Sequence, residues 1–312
     1  MSAPRAREPG ASPAARPGGV GLMVAATLAF TVMIALVKTL QTQTEMATLD
    51  IMFWRGVFGT PPALLLARRG GAAGGVTVVR RDLILLRAVL GSGAMFCFYS
   101  AARSLSVASL SFIHKLQPIA VALAAPWLLG RGERVGARVW VVLALGVAGC
   151  ALLLAPGSGR GGGASSAGGL WALGAVALSA AAHLTVRKLG RSDRPAVVVL
   201  WFQLLMTVGT ALALGAVVGR EPRLAPAAWP AVVGVGLSAV AGQFLLTTAY
   251  RRERAGTVAA ASYVQAVWAL LVDLIVFGRV PTGRGVTGGA LIVAGGLLLS
   301  IRHRGRGGRP KR

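Results

Sequence analysis

His114, Lys115 and Gln117 stand together inside an apolar run, residues 106–129. Ser262, Tyr263 and Gln265 stand in the same order inside another, residues 255–277. An ammonium group attracts a carboxylate or a phosphate, or exchanges a proton. An imidazole titrates near neutral pH, and amides and hydroxyls orient a polar ligand. A charge at the centre of a bilayer costs roughly 2.5–3.5 kcal/mol on insertion scales, so such residues face a protein interior and are functional candidates. These six, with Tyr99, are the expected substrate-binding residues. The competing structural role is a Lys115 paired with a helix carbonyl or an acid for folding alone.

Arg55 and Asp273 are the other charges well inside apolar runs. Both are expected toward the outer half, where a mutual bridge is geometrically allowed. Arg55 could instead pair with Asp50 or bind substrate. If proton coupling uses a carboxylate, Asp273 is the candidate, with His114 as the alternative. Pro118 follows the first polar cluster and removes a backbone hydrogen bond, which kinks the helix and frees a carbonyl near Lys115. Arg55, Asp273 and Pro118 are therefore read as coupling or gating residues, with a static bend as the alternative for Pro118 and Pro126. His183 is read as a packing residue. Gln203 and Gln243 fit helix–helix hydrogen bonding or substrate contact.

The elements that must position these groups are ten apolar stretches, each about as long as the roughly 20 residues a helix needs to cross the hydrocarbon core. They lie near 18–38, 46–67, 84–102, 106–129, 137–155, 168–187, 195–218, 228–249, 255–277 and 284–301. Mean hydropathy of +0.68 with 13% charged residues is far from soluble norms. The net charge of +24 is not a nucleic-acid footprint. Its basic residues crowd alternate joints, among them Arg68, Arg69, Arg80, Arg81 and Arg87 in joint 2–3. The intervening joints carry few, Lys38 and Arg220 among them. This fits the positive-inside rule with both termini cytoplasmic, and no basic patch is interleaved with aromatics. A chain without Asn but crowded with Ala, Gly, Arg and Val resembles the product of a GC-rich genome. The expected home is a bacterial inner (plasma) membrane, crossed many times. Cys97 and Cys150 fall inside spans and read as packing residues.

The chain divides into a disordered tail (1–17), a five-span repeat (18–155), a Gly/Ser-rich joint (156–167), a second five-span repeat (168–301) and a basic cytoplasmic tail (302–312). A shift of 148 residues puts Gln117 on Gln265 and Gly130 on Gly278, and a shift of one more puts Gly146 on Gly295. Five is odd, so the second half enters from the opposite side. The predicted fold is all-α and integral to the membrane, with two inverted five-helix repeats around a central cavity. This is the plan of many secondary transporters, with the substrate near the midplane. The glycines of spans 5 and 10 read as packing seams, between the halves or at a dimer face.

Several short pieces, in this order and spacing, resemble the ten-span drug/metabolite transporter superfamily of EamA type. They are Phe53-Trp54-Arg55-Gly56, Tyr99-Ser100-Ala101-Ala102-Arg103, Gln117-Pro118, Leu129-Gly130 with Glu133, Gly242-Gln243, Ala249-Tyr250 and Phe277-Gly278-Arg279-Val280-Pro281. The resemblance covers about Gly18 to Ile301. It implies two bundled repeats around a central cavity and transport of small organic metabolites by alternating access. Two departures stand out. Arg279 occupies a position where the family usually carries Glu, and His114-Lys115 occupies one that is commonly apolar or small.

Gly157–Gly162 matches G-x-G-x-x-G but lies in a low-complexity joint without a flanking strand. No phosphate-loop motif, H-E-x-x-H or cysteine cluster is present, so neither an ATP motor, a cofactor nor a metal is expected. Span 1 has no acid, which weighs against an exporter of cationic drugs by analogy with the related small multidrug antiporters. The reading is a secondary active transporter of a small polar metabolite, an amino acid or related anionic or zwitterionic compound, and not an enzyme. Expected partners are that substrate, membrane lipids and protons as candidate coupling ions, with no nucleic acid and with homodimerisation left open. A multidrug exporter, and a membrane-embedded enzyme or lipid-handling scaffold, are the alternatives.

Overall fold

The computed structural model describes residues 18–69, 75–117, 119–120, 137–154, 166–189, 192–252 and 261–301. Among them the α-helices are α1 (Gly19–Gln43), α2 (Thr48–Arg68), α3 (Arg81–Ser104), α4 (Val107–His114), α5 (Ala137–Leu154), α6 (Ser166–Leu189), α7 (Pro195–Leu212), α8 (Trp229–Arg252), α9 (Gln265–Ile275) and α10 (Gly283–Ile301). A π turn at Ala213–Val217 extends α7, and a 3-10 turn at Ser262–Val264 precedes α9. Among the described residues five segments, within α1, α3, α6, α7 with its π turn, and α8 with the 3-10 turn Pro226–Ala228 before it, are long and apolar enough to cross a membrane.

Local signals start and stop these helices. Ser106 caps α4 by accepting a 3.0 Å hydrogen bond from the Ser109 N–H, and Pro195 stands at the first position of α7. Gly278, at φ 60° just beyond α9, takes the left-handed turn that a side chain would strain. Asp193 accepts from the Val79 N–H at 2.7 Å, and the Trp201 indole donates to the Val76 carbonyl at 2.7 Å. These two bonds fasten the α2–α3 joint to the start of α7.

The polarity is inverted relative to a soluble protein. Leu170, Ile275 and Val217 stand 69–84% exposed on the outside, while Lys38 and Arg55 are 1% exposed within. Burying charges while exposing large aliphatics is favourable only where the outer solvent is itself apolar.

The principal helix packings fall into a regular set. α1 packs on α8 and α3 on α6; α2 packs on α7 and on α8, and α3 also on α7; α5 packs on α10 and α4 on α9. Exchanging each helix for the one five places along returns the same set. The α5–α10 contact is a glycine seam: a Cβ on Gly149 would sit 2.6 Å from the Gly288 carbonyl oxygen, and one on Gly288 2.7 Å from that of Gly149. Only bare backbones approach this closely. The seam thus joins the two halves of this chain. Cys97 and Cys150 are buried and free.

Two expectations about boundaries need correcting. Span 1 was expected to end at Lys38, but α1 runs on to Gln43, so Lys38 lies inside the helix. Arg87, counted with a joint, lies inside α3 six residues from its start. Charges near the end of an apolar run read as joint residues by hydropathy, although a partner deep in the bundle can hold them in. Pro118 and Pro126 lie outside the described residues.

Candidate functional site

The α-helical pattern breaks at matching places in the two halves. α4 stops at His114, and Lys115 and Leu116 form a turn in which the Leu116 N–H donates to the Ile113 carbonyl at 3.0 Å. Pro118 has no N–H to return to the His114 carbonyl, which gives a local cause for the stop. In the second half the 3-10 turn Ser262–Val264 stands where the 148-residue shift puts the Lys115 turn. Breaks of this kind free backbone carbonyls and are tolerated at membrane depth where protein or a cavity surrounds them.

The two breaks meet through α4 and α9. The Lys115 ammonium sits 5.8 Å from the centre of the Tyr263 ring, a cation–π contact between the halves. His114 places its ring edge-on to Phe98, centroids 5.1 Å apart, and its Nε2 is 3.3 Å from the Ser179 hydroxyl of α6. Gln117, Ser262 and Gln265 are half-buried beside these turns. Tyr99 is fully buried; its carbonyl accepts from the Gln41 amide at 2.8 Å, and its hydroxyl has no partner among the described residues.

The structure assigns different neighbours to the two intramembrane charges that sequence pairs most readily. Arg55 donates from Nη1 to the Met206 sulfur at 3.0 Å, and its Cζ lies 6.0 Å from the centre of the Phe202 ring. Asp273 accepts from the Val107 and Ala108 N–H groups at 3.0 and 2.7 Å, capping α4 from α9. Arg55 and Asp273 therefore do not bridge. Nor does Arg55 pair with Asp50, whose carboxylate takes both Arg220 nitrogens at 2.8 and 2.7 Å and the Arg223 N–H at 3.0 Å. That carboxylate raises the Arg220 guanidinium above its ordinary value, chiefly through the hydrogen bond.

Two polar residues escaped sequence reasoning. Lys38 donates to the Ala102 and Leu105 carbonyls at 2.8 and 2.6 Å, closing the C-terminal end of α3. It and Asp273 hold the two sides of one joint, α3–α4. Arg87 lies 4.3 Å from the centre of the Phe202 ring. The available signal was spacing: Arg87 and Gly91 are one helical turn apart, and a Cβ at Gly91 would collide with the Arg87 guanidinium.

Among the described residues two ion pairs occur, Arg80–Asp82 and Arg220–Asp50. Neither involves Arg55, Arg87, His114 or Lys115. No group of His, Cys, Asp and Glu among the described residues could hold a metal ion. A recess of about 370 Å³ lined by Ala211, Gly215 and Arg220 lies at the α7–α8 joint and shares no residue with this cluster.

Residues 17–155 and again residues 166–301 match the model of the EamA-like transporter family. The chain is 29% identical over 292 residues to the pseudopaline exporter CntI of Pseudomonas aeruginosa, covering 92% of this chain and 97% of that protein. It is 31% identical over 202 residues to the riboflavin transporter of Rhizobium johnstonii, covering 62% and 64%. Human solute carrier family 35 member G1 is 26% identical over 241 residues, covering 72% and 63%. A crystal structure with 21% identity and a TM-score of 0.61, covering 88% of this chain and 96% of its own, shares the fold.

Proposed function

Since the chain belongs to the EamA-like transporter family, we propose that it is a secondary active transporter of a small anionic or zwitterionic metabolite, an amino acid or a relative of one. Multi-pass insertion and membrane transport follow from the family and the apolar helices. The finer reading rests on one observation: Lys115 of the first half meets Tyr263 of the second where both helices break. An ammonium there, without a carboxylate partner among the described residues, suits a substrate that brings the negative charge. The matched packings of the two halves support alternating access, in which two similar halves in opposite orientation give two states close in free energy. The basic alternate joints support a bacterial inner membrane with both termini cytoplasmic. The driving force is the proton gradient or the substrate's own gradient.

Thermal stabilisation of the purified protein by a panel of amino acids, organic acids, nucleosides, sugars and cationic dyes tests this. A ligand that binds only the folded state raises the midpoint by mass action. The expected result is a shift with an anionic or zwitterionic compound that disappears in Lys115→Ala, together with lost uptake by proteoliposomes of that variant. Stabilisation by cationic dyes alone would overturn the reading in favour of a multidrug exporter.

A further inference from the structure

Arg55, Tyr99 and Gln203 are each at most 1% exposed, yet all carry polar atoms with no partner among the described residues: Arg55 Nε, the Tyr99 hydroxyl, and both side-chain amide atoms of Gln203. They come from three helices, α2, α3 and α7, and they converge, with the Arg55 guanidinium and the Tyr99 hydroxyl within electrostatic reach of each other. The Arg55 guanidinium reaches Met206, one turn beyond Gln203 on α7, and a Cβ at Gly59, one turn beyond Arg55 on α2, would collide with the Gln203 amide. Arg87 adds a second guanidinium against the same Phe202 ring, and its buried Nε also has no partner among the described residues. A thioether and an aromatic face are weak partners for charged guanidinium groups. A buried donor without a partner destabilises the fold, and a charged one does so more. Two guanidiniums on one ring also repel each other. A bundle that keeps such a group is complete only when an anion enters it.

Polar side chains connect this group to the Lys115–Tyr263 contact. Ser179 links the two sides: its carbonyl accepts from His183 Nδ1 at 2.8 Å, and its hydroxyl lies 3.3 Å from His114 Nε2. His183 is in turn within electrostatic reach of Arg87.

We propose that Arg55 and Arg87, seated on Phe202 with Tyr99 and Gln203, form a second oxyanion subsite, so that the transported metabolite carries at least two acidic groups. This rests on the transporter reading above and narrows its substrate class. Lys115 takes one acidic group and the two guanidiniums the other. Arginine forks match planar carboxylates and tetrahedral phosphates alike. Because Arg55 is sealed from both sides, this subsite is reached only as the helices move, which couples its occupation to the alternating states.

The test uses the purified full-length protein in detergent, with glutarate and citrate against butyrate, and with 3-phosphoglycerate against glycerol 3-phosphate as the phosphate arm. Binding is read by calorimetry and midpoint shift. In the wild type, the dicarboxylate or tricarboxylate binds at least about tenfold tighter than butyrate, or 3-phosphoglycerate binds that much tighter than glycerol 3-phosphate if the second group is a phosphate. Arg87→Gln removes that difference and leaves butyrate binding within about twofold, and Arg87→Lys restores part of it. Should Arg87→Gln not fold, the wild-type ranking and Arg87→Lys still decide. Polyanions binding no tighter than butyrate, or unaffected by either Arg87 variant, overturn the subsite and leave the transporter reading intact. Binding of cationic dyes with no anion bound overturns the anionic reading itself.

Discussion

Removing the Asp273 carboxylate is the sharpest perturbation, because two roles for it predict opposite signatures. Asp273 belongs to α9 but accepts from the Val107 and Ala108 N–H groups of α4 at 3.0 and 2.7 Å, and it is 3% exposed. Hydrogen bonds to a charged acceptor contribute about 1.5–3 kcal/mol each, so two give about 3–6 kcal/mol. The positive end of α4 adds up to about 1 kcal/mol. Asp273→Ala leaves both N–H groups orphaned, whereas Asp273→Asn keeps one acceptor oxygen and loses about half. At about 2 °C per kcal/mol for a chain of this size, the thermal midpoint of Asp273→Ala should fall by about 6 °C or more. Asp273→Asn should fall between it and wild type. Fluorescence-monitored melting of the detergent-purified protein, with uptake measured in parallel, supplies the assay. A midpoint for Asp273→Ala within about 1 °C of wild type would refute the capping argument. If uptake were also lost, Asp273 would be a coupling group with no structural share.

Lys38→Met should cost about 2–4 kcal/mol, because it leaves the Ala102 and Leu105 carbonyls without their donor; a melting midpoint equal to wild type would contradict this. Gly149→Val and Gly288→Val should each force α5 and α10 apart, at about 1–3 kcal/mol or more. Unchanged midpoints in both would mean the seam is looser than its geometry. Arg220→Ala removes two guanidinium nitrogens from the buried Asp50 carboxylate and should lower stability more than loss of an exposed surface pair would. Chemical denaturation of Arg220→Ala, Asp50→Asn and the double variant checks it, since a coupling energy near zero would show that the pair does not act as one.

Much of the architecture is legible along the chain, for a physical reason. A helix that crosses lipid must satisfy its own backbone and present apolar side chains for some 20 residues. That requirement is local, so the runs that became α3, α5, α6 and α8 lie close to the expected boundaries. The polar groups at 114–117 and 262–265 were visible because a charge inside such a run is costly. Their meeting was foreshadowed by the 148-residue offset between Gln117 and Gln265. The partners were not legible. Asp273 finds its donors 165 and 166 residues away, and Lys38 finds carbonyls 64 and 67 residues away. Hydropathy records how much apolar surface a segment offers, not which neighbour it covers. Arg87, read as a joint charge, and Arg55, read beside acids it does not touch, owe their shared seat on Phe202 to α2, α3 and α7 closing on one another. Sequence therefore determined that the chain is a bundle of apolar helices in two related halves. Tertiary packing alone decided which charges find a hydrogen-bond or ionic partner within the bundle, and which of the described ones meet only a thioether or an aromatic ring.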